Sequence, residues 1–280
     1  MTVIKYISFA LKNLKSSLVQ SLLLWLVGFT LSYIFSSVFT NHFSMHMSDS
    51  ATVLESLASF DFTILSDWKI HYAEFNVFIK LLPVILLLYF LFQSVYSSGI
   101  IKQVVDDSVT KKTFFEGVRM FGFKFIGLNT LFLILYLIVL GISLGLYFSS
   151  NLNPFETVRD DDWTNRFLLH LIPAIILICL IRNWHQVAKL KLVSDGNSFL
   201  NKLLHSFRLS FKRIINLGLI QLVFLLLLAV LIIVENLLKD QLDFTNSISF
   251  WLLSLLIQCF VICRITMKLN QFWAINKALD

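Results

Sequence analysis

The chain has 280 residues, of which 57% are hydrophobic and only 14% are charged, and its formal net charge is +6. This composition excludes a disordered chain and an ordinary soluble domain, and it predicts an integral membrane protein with one membrane domain over residues 1–280. The positive charge does not require a nucleic-acid partner, because basic residues at a membrane surface are attracted to anionic lipid headgroups.

Six apolar runs follow one another, each long enough to cross a hydrocarbon core of about 30 Å. They occupy residues 18–39, 75–92, 125–148, 163–181, 214–237 and 248–263. The longest runs are continuous Leu, Ile and Phe stretches, so we expect an all-α protein with six transmembrane helices and not a barrel. The first run is too long for the apolar part of a signal peptide, and we expect it to be retained.

Part of the sequence is an internal repeat. Residues 78–128 resemble residues 168–217, with Lys80 matching His170 and Pro83 matching Pro173. After a one-residue deletion the match continues through Lys102 and Lys191, Asp106 and Asp195, Arg119 and Arg208, and Lys124 and Arg213.

A shorter third copy near the N-terminus aligns Ser8, Phe9 and Lys15 with the segment that ends at Arg213. Self-similarity of this kind predicts three units, each an amphipathic helix followed by two spans. The units cover about residues 1–101, 102–193 and 194–280.

Basic residues alternate between the two sides of the predicted bundle. One side collects Lys5, Lys12, Lys15, Lys102, Lys111, Lys112, Arg119, Lys124, Arg182, Lys189, Lys191, Lys202, Arg208, Lys212, Arg213, Arg264, Lys268 and Lys277. The opposite loops offer only Lys69, Arg159, Arg166 and Lys239. The positive-inside rule therefore predicts that both termini are cytoplasmic.

Amphipathic segments at residues 113–124 and 198–213 precede the third and fifth spans. Thr113 and Glu116 match the capping-box pattern of a helix start, and Asp195-Gly196-Asn197-Ser198 supplies a turn and an N-cap. Both segments place phenylalanines beside bases, which predicts helices in the cytoplasmic interface. The bases expected at anionic headgroups are Arg119, Lys124, Arg208, Lys212 and Arg213. The alternative is that each segment extends its span into the cytosol.

The order of a span, the turn at Asp195, an amphipathic segment with Leu203, Ser206 and Phe207, and another span resembles uncharacterised bacterial six-helix membrane families. Among these is the membrane domain that is sometimes fused to glycerophosphodiester phosphodiesterases. The resemblance covers roughly residues 75–240. It implies topology and a bacterial inner-membrane location, but no phosphodiesterase activity, because the 280 residues contain no such soluble domain.

Lys80 and His170 are the strongest candidates for a substrate-binding site. Polar groups at membrane depth cost about 2.5 to 3.5 kcal/mol and tend to face a bundle interior or cavity. Each residue lies three positions before a proline, which leaves a backbone carbonyl without its helical donor. The alternative is that both side chains lie near the outer interface and reach to water.

Other polar residues fit structural roles. We expect Glu235 to pair with Lys80 or to be an ordinary interfacial carboxylate, and residues 182–185 to anchor the fourth span at the interface. Gln93, Asn129, Gln221 and Gln258 are expected to form hydrogen bonds between helices.

No catalytic set is visible, so we expect neither an enzyme nor a cofactor. His42 and His46 lie four residues apart among methionines, a ligand combination suited to copper, but no cysteine or third histidine is near them. We therefore predict no metal site.

Two functions fit this pattern. The first is a non-catalytic membrane protein that organises lipids or a partner membrane protein through its basic cytoplasmic face. Its contact surface would be the amphipathic segments together with the cytoplasmic extensions of the second, fourth and sixth span helices. The second is a small transporter or permease with a site near Lys80 and His170, because parallel repeats and proline-interrupted spans are typical of transporters.

Overall fold

The computed structural model describes residues 2–46, 73–150, 160–194, 198–240 and 247–279. Within these ranges the chain forms eight α-helices and no strand, which confirms the all-α prediction. They are α1 (Thr2–Lys12), α2 (Leu14–His46), α3 (Ala73–Val105), α4 (Lys111–Ser150), α5 (Asp160–Ser194), α6 (Phe199–Lys212), α7 (Ile214–Asp240) and α8 (Ser247–Leu279).

Five of the described helices are long and apolar enough to cross a membrane, as expected for a multi-pass membrane protein. The apolar stretches are Leu14–Leu31 of α2, Lys80–Val105 of α3, Lys111–Leu146 of α4, Ile214–Leu238 of α7 and Leu255–Leu279 of α8. The predicted fourth span, residues 163–181, lies within α5, which is not among the five. The side chains of residues 160–171 lie outside the described part of the structure.

Contacts divide the chain into two compact units. The smaller unit is Leu22–Gln93, in which the rings of Trp25, Phe29 and Tyr33 follow one another along α2 with centroid separations of 5.2 and 6.5 Å. Pro83 lies inside α3 of this unit. The larger unit, Met1–Ser21 with Ser94–Asp280, contains most of the buried residues.

The core of the larger unit lies in three helix segments that continue beyond predicted spans: residues 94–105 of α3, 182–194 of α5 and 264–279 of α8. We call these the helix extensions. Their buried apolar side chains are Ile100, Ile101, Val104, Val187, Ala188, Leu190, Leu192, Val193, Leu269, Phe272, Trp273, Ala274, Ile275, Ala278 and Leu279. Packing within the protein buries these apolar side chains, whereas Arg182 and Lys268 of the extensions are exposed. The expected contact surface on the extensions stays a prediction.

Each amphipathic segment packs against one helix extension. α1 packs on α8, where the ring centroids of Phe9 and Trp273 are 6.3 Å apart. The beginning of α4 meets α3 at Gly99 and Gly117, and α6 packs along α5. In terms of the three predicted units, α1 contacts the extension of the third unit, α4 that of the first and α6 that of the second, so the contacts form a closed cycle of units.

The two predicted helix starts have different outcomes. The prediction that Thr113 caps α4 is wrong, because the helix begins at Lys111 and the Thr113 N–H donates to Thr110 Oγ1 at 3.2 Å. Thr110 thus supplies the side-chain oxygen that the first turn needs. The boundary at Ser198 is confirmed, since α6 begins at the next residue.

The amphipathic segments also differ in how they join their spans. α4 runs unbroken from its first residue to Ser150, so this segment extends its span, as the alternative interpretation expects. α6 instead ends at Lys212 and α7 starts at Ile214, which makes α6 a separate helix.

α4 crosses α3 at close range. A β-carbon added to Gly117 would lie 2.6 Å from Cβ of Lys102 and 2.9 Å from Cα of Gly99. Both contacts are too short for carbon atoms, and the backbone of α3 cannot move away without disturbing its neighbours. Only glycine permits this spacing.

We predict that Gly117→Ala lowers the stability of the protein by about 1 to 3 kcal/mol, because the added methyl group overpacks the α3–α4 contact. Thermal unfolding in detergent measures the change. Gly127→Ala on the same helix is the matched control, since nothing lies within 4 Å of a β-carbon there. Equal melting temperatures for the two variants would contradict the steric explanation.

Candidate functional site

The predicted substrate residues occupy different parts of the described structure. Lys80 is exposed on α3 in the smaller unit. His170 lies in α5, but its side chain is outside the described part, as are those of His42 and His46. The predicted site at Lys80 and His170 therefore stays a prediction.

Glu235 has a partner that the sequence did not suggest. It is only 4% exposed and forms an ion pair with Arg264 of α8. Both residues lie within apolar stretches of span length, where an unpaired charge is costly. The two expected roles of Glu235 stay predictions. Arg264 is part of this pair within α8 and not a residue of a free tail.

Hydrogen bonds between polar side chains join the helices of the larger unit. Asn129 Nδ2 donates to Ser94 Oγ at 2.8 Å, and Gln221 Nε2 donates to Gln186 Oε1 at 2.9 Å. These bonds confirm the interhelical role predicted for Asn129 and Gln221. Further pairs are Ser17 with Asn270, Gln20 with Gln103, and Thr266 with Ser21.

Residues 183–185 contact other helices of the protein, and their predicted role as an interface anchor stays a prediction. Trp184 Nε1 donates to Ser206 Oγ at 3.1 Å, and its ring lies edge-on to Phe132 at 4.9 Å between centroids. His185 stacks on Phe132 at 4.3 Å, and its Nε2 lies 2.9 Å from Asn129 Oδ1. Because that amide oxygen can only accept, Nε2 carries the proton and donates.

α6 has the reverse of the polarity that a helix of a soluble protein shows. The face that contacts the protein consists of Lys202, Ser206 and Ser210, all buried. The remaining surface has two exposed faces. The apolar face consists of Leu200, Leu204, Phe207 and Phe211, and the polar face consists of Asn201, His205, Arg208 and Lys212.

Two basic side chains at α6 satisfy backbone carbonyls. Lys202 Nζ donates to the carbonyl of Leu192 in the last turn of α5 at 2.8 Å. Arg213, between α6 and α7, donates to the carbonyl of Ala278 near the end of α8. Cations favour such positions because helix C-termini carry partial negative charge.

The other predicted headgroup ligands remain on the surface. Arg119, Lys124, Arg208 and Lys212 are exposed, whereas Arg213 is half-buried by its contact with α8. The ammonium of Lys124 lies 5.6 Å from the centre of the Phe121 ring. The structure therefore leaves four of the five bases accessible to a ligand.

A cavity of about 190 Å³ lies where the helix extensions end. Its wall includes Val104 of α3, Lys191 of α5 and Lys277 of α8. Each extension carries a lysine in its last turn, Lys102 being the third, and these charges oppose the negative ends of the helix dipoles. Helix capping thus accounts for the bases around this cavity.

A second group of bases lies between α5 and α8. Lys189 is half-buried, eight residues beyond the predicted end of the fourth span at Ile181. Burial first, and then the positive charge of Lys268 on α8, lower the pKa of Lys189 to about 7. Both causes disfavour the ammonium form of Lys189.

Comparison with protein-family models, curated proteins and solved structures finds no match to this chain. The resemblance to the membrane domain of some phosphodiesterases stays a hypothesis.

We predict that the melting temperature of the detergent-solubilised protein rises as the pH increases from about 7 to about 10. In that window the unfolded chain keeps the proton of Lys189, whose ordinary pKa is 10.5, while the folded protein releases it at about 7. Lys189→Met should flatten this dependence. Lys191→Met on the same helix should keep it, and equal slopes in the two variants would contradict the assignment to Lys189.

Proposed function

We propose that this chain is a non-catalytic integral membrane protein that organises anionic lipids, or a partner membrane protein, through a basic cytoplasmic face. In this proposal it has six spans in a bacterial inner membrane, α5 provides the fourth, and both termini are cytoplasmic. The observation that carries the proposal is the division of α6 into a buried polar face, an exposed apolar face and an exposed polar face.

The apolar face of α6 is unfavourable in water. Exposed apolar surface costs about 25 cal/mol for each Å², and four large side chains share this face. A helix with such a face lies in the membrane interface, with its apolar side chains at the acyl-chain boundary and its bases among the headgroups. The position of Arg208 and Lys212 beside the apolar face fits this orientation.

The exposed bases of α4 extend the same surface. Arg119 and Lys124 are exposed, and Phe115, Met120 and Phe123 expose large apolar side chains on the same segment. Each base near an anionic membrane surface contributes about 1 kcal/mol of attraction. Two amphipathic segments with this composition support a membrane surface enriched in anionic lipid.

The closed cycle of contacts supports the proposed repeat. The first span helix of each proposed unit forms a hydrogen bond with the extension of another unit. The pairs are Asn129 with Ser94, Gln221 with Gln186, and Ser17 with Asn270. If the units are equivalent, the amphipathic segments occupy equivalent positions around the larger unit, and the lipid-binding surface is repeated with them.

We predict that adjacent residues of α6 meet different environments. In a variant with Cys179, Cys259 and Cys263 replaced by serine, a bimane label at Leu204→Cys should be quenched by brominated lipids, because Leu204 lies on the apolar face. A label at His205→Cys should be quenched by aqueous iodide, because His205 lies on the polar face. Identical quenching at both positions would rule out an interfacial α6.

We predict that Asn201→Cys, in the same cysteine-free background, reacts with a membrane-impermeant maleimide only after the cells are opened. Ser50→Cys, in the first predicted outer loop, should react in intact spheroplasts. These results follow if the basic side is cytoplasmic. Labelling of Asn201→Cys from outside would refute the proposed orientation.

A further inference from the structure

Four basic side chains on two neighbouring helices form one group. Arg182, His185 and Lys189 are spaced by three and four residues along α5, so they share one face of the helix. α8 packs against α5, and the charge of Lys268 on α8 acts on both His185 and Lys189. The group is therefore a contact between helices and not a succession of separate surface bases.

No acid whose side chain the structure describes forms a salt bridge with this group. Asp106 pairs with Lys102, and Glu235 pairs with Arg264. Of the other acids with described side chains, Glu116 is exposed on α4 and Asp107 lines the cavity at the helix ends. In the described part of the chain, neither Lys189 nor Lys268 forms a salt bridge. The contact between α5 and α8 thus holds an excess of positive charge.

The bases are accessible to a ligand. Arg182 and Lys268 are exposed, and Lys189 is half-buried. The ring of His185 is held by Asn129 and Phe132, so it forms a fixed wall beside the bases. Two of the three cations are therefore open to an anion, and the third is partly open.

We propose that Arg182, Lys189 and Lys268 form a binding site for a phosphate group between α5 and α8. A guanidinium presents paired N–H donors that match phosphate oxygens, and two ammonium groups supply further charge. Basic pockets between transmembrane helices on the cytoplasmic side hold lipid headgroups by this chemistry. The bound anion would offset the repulsion between Lys189 and Lys268.

The phosphate belongs either to an anionic lipid headgroup or to a soluble phosphate compound. The first source deepens the proposed function, and rests on it, by identifying where one lipid is held specifically. The second source needs no lipid organisation. Both use the same three side chains.

The test is the melting temperature of the purified full-length protein in detergent, titrated with phosphatidylglycerol, phosphatidylcholine or inorganic phosphate. The cluster variant is Lys189→Gln with Lys268→Gln, and the control is Lys111→Gln with Lys112→Gln, which removes two exposed bases elsewhere. Phosphatidylglycerol or inorganic phosphate should stabilise the wild type and the control. The cluster variant should bind at least tenfold more weakly.

Without ligand, the cluster variant should melt at or above the wild-type temperature, because two like charges have been removed. A folding defect would instead lower the melting temperature, so this measurement distinguishes loss of binding from loss of folding. Arg182→Gln provides a second variant, in which one exposed base is lost and binding should also weaken.

Stabilisation by phosphatidylglycerol alone identifies a lipid headgroup, and stabilisation by inorganic phosphate identifies a soluble phosphate compound. Equal stabilisation of the wild type and the cluster variant, or no stabilisation of the wild type by either probe, would overturn the site. The quenching experiment on α6 involves none of these three residues. A failure of that experiment alone would refute the interfacial helix and leave the phosphate site standing.

Discussion

Lipid offers no hydrogen-bond partner, so polar side chains within membrane helices must pair inside the protein. The larger unit satisfies this constraint by joining neighbouring helices through pairs such as Asn129 with Ser94 and Gln221 with Gln186. Each such bond contributes only about 0.6 to 2 kcal/mol. The bonds mainly fix the positions of the helices, because a helix that rotated or shifted by one residue would leave two hydrogen-bonding groups unsatisfied.

The same constraint explains the unusual surface of α6. Ser206 bonds with Trp184, and Lys202 bonds with a carbonyl of α5, so polar side chains serve as the adhesive face. The apolar side chains are then free to face lipid. Charges that are placed inside the protein follow a similar rule, since Glu235 is paired with Arg264. Lys189 and Lys268 form no such pair in the described part of the chain, which is why we expect a ligand there.

Hydropathy and periodicity were sufficient for the helical class, for the boundary at Ser198 and for the bonding role of Asn129 and Gln221, because these depend on local composition. They were insufficient wherever the result depends on which helices meet. A basic residue such as Arg264 looks cytoplasmic until Glu235 is known to lie beside it. Likewise, nothing local to the helix extensions indicates that they pack on one another, and the bases of α5 and α8 are far apart in the chain.

The contact between α1 and α8 has a consequence for biosynthesis. Phe9 of α1 meets Trp273, and Ser17 at the start of α2 bonds with Asn270, so α1 docks against a helix that is synthesised much later. During translation α1 lacks this partner until α8 has been made, although it also contacts α7. Ile4 and Leu11 are exposed and apolar, so α1 can lie at the membrane surface until α8 has been synthesised. Only then can the larger unit form all its contacts.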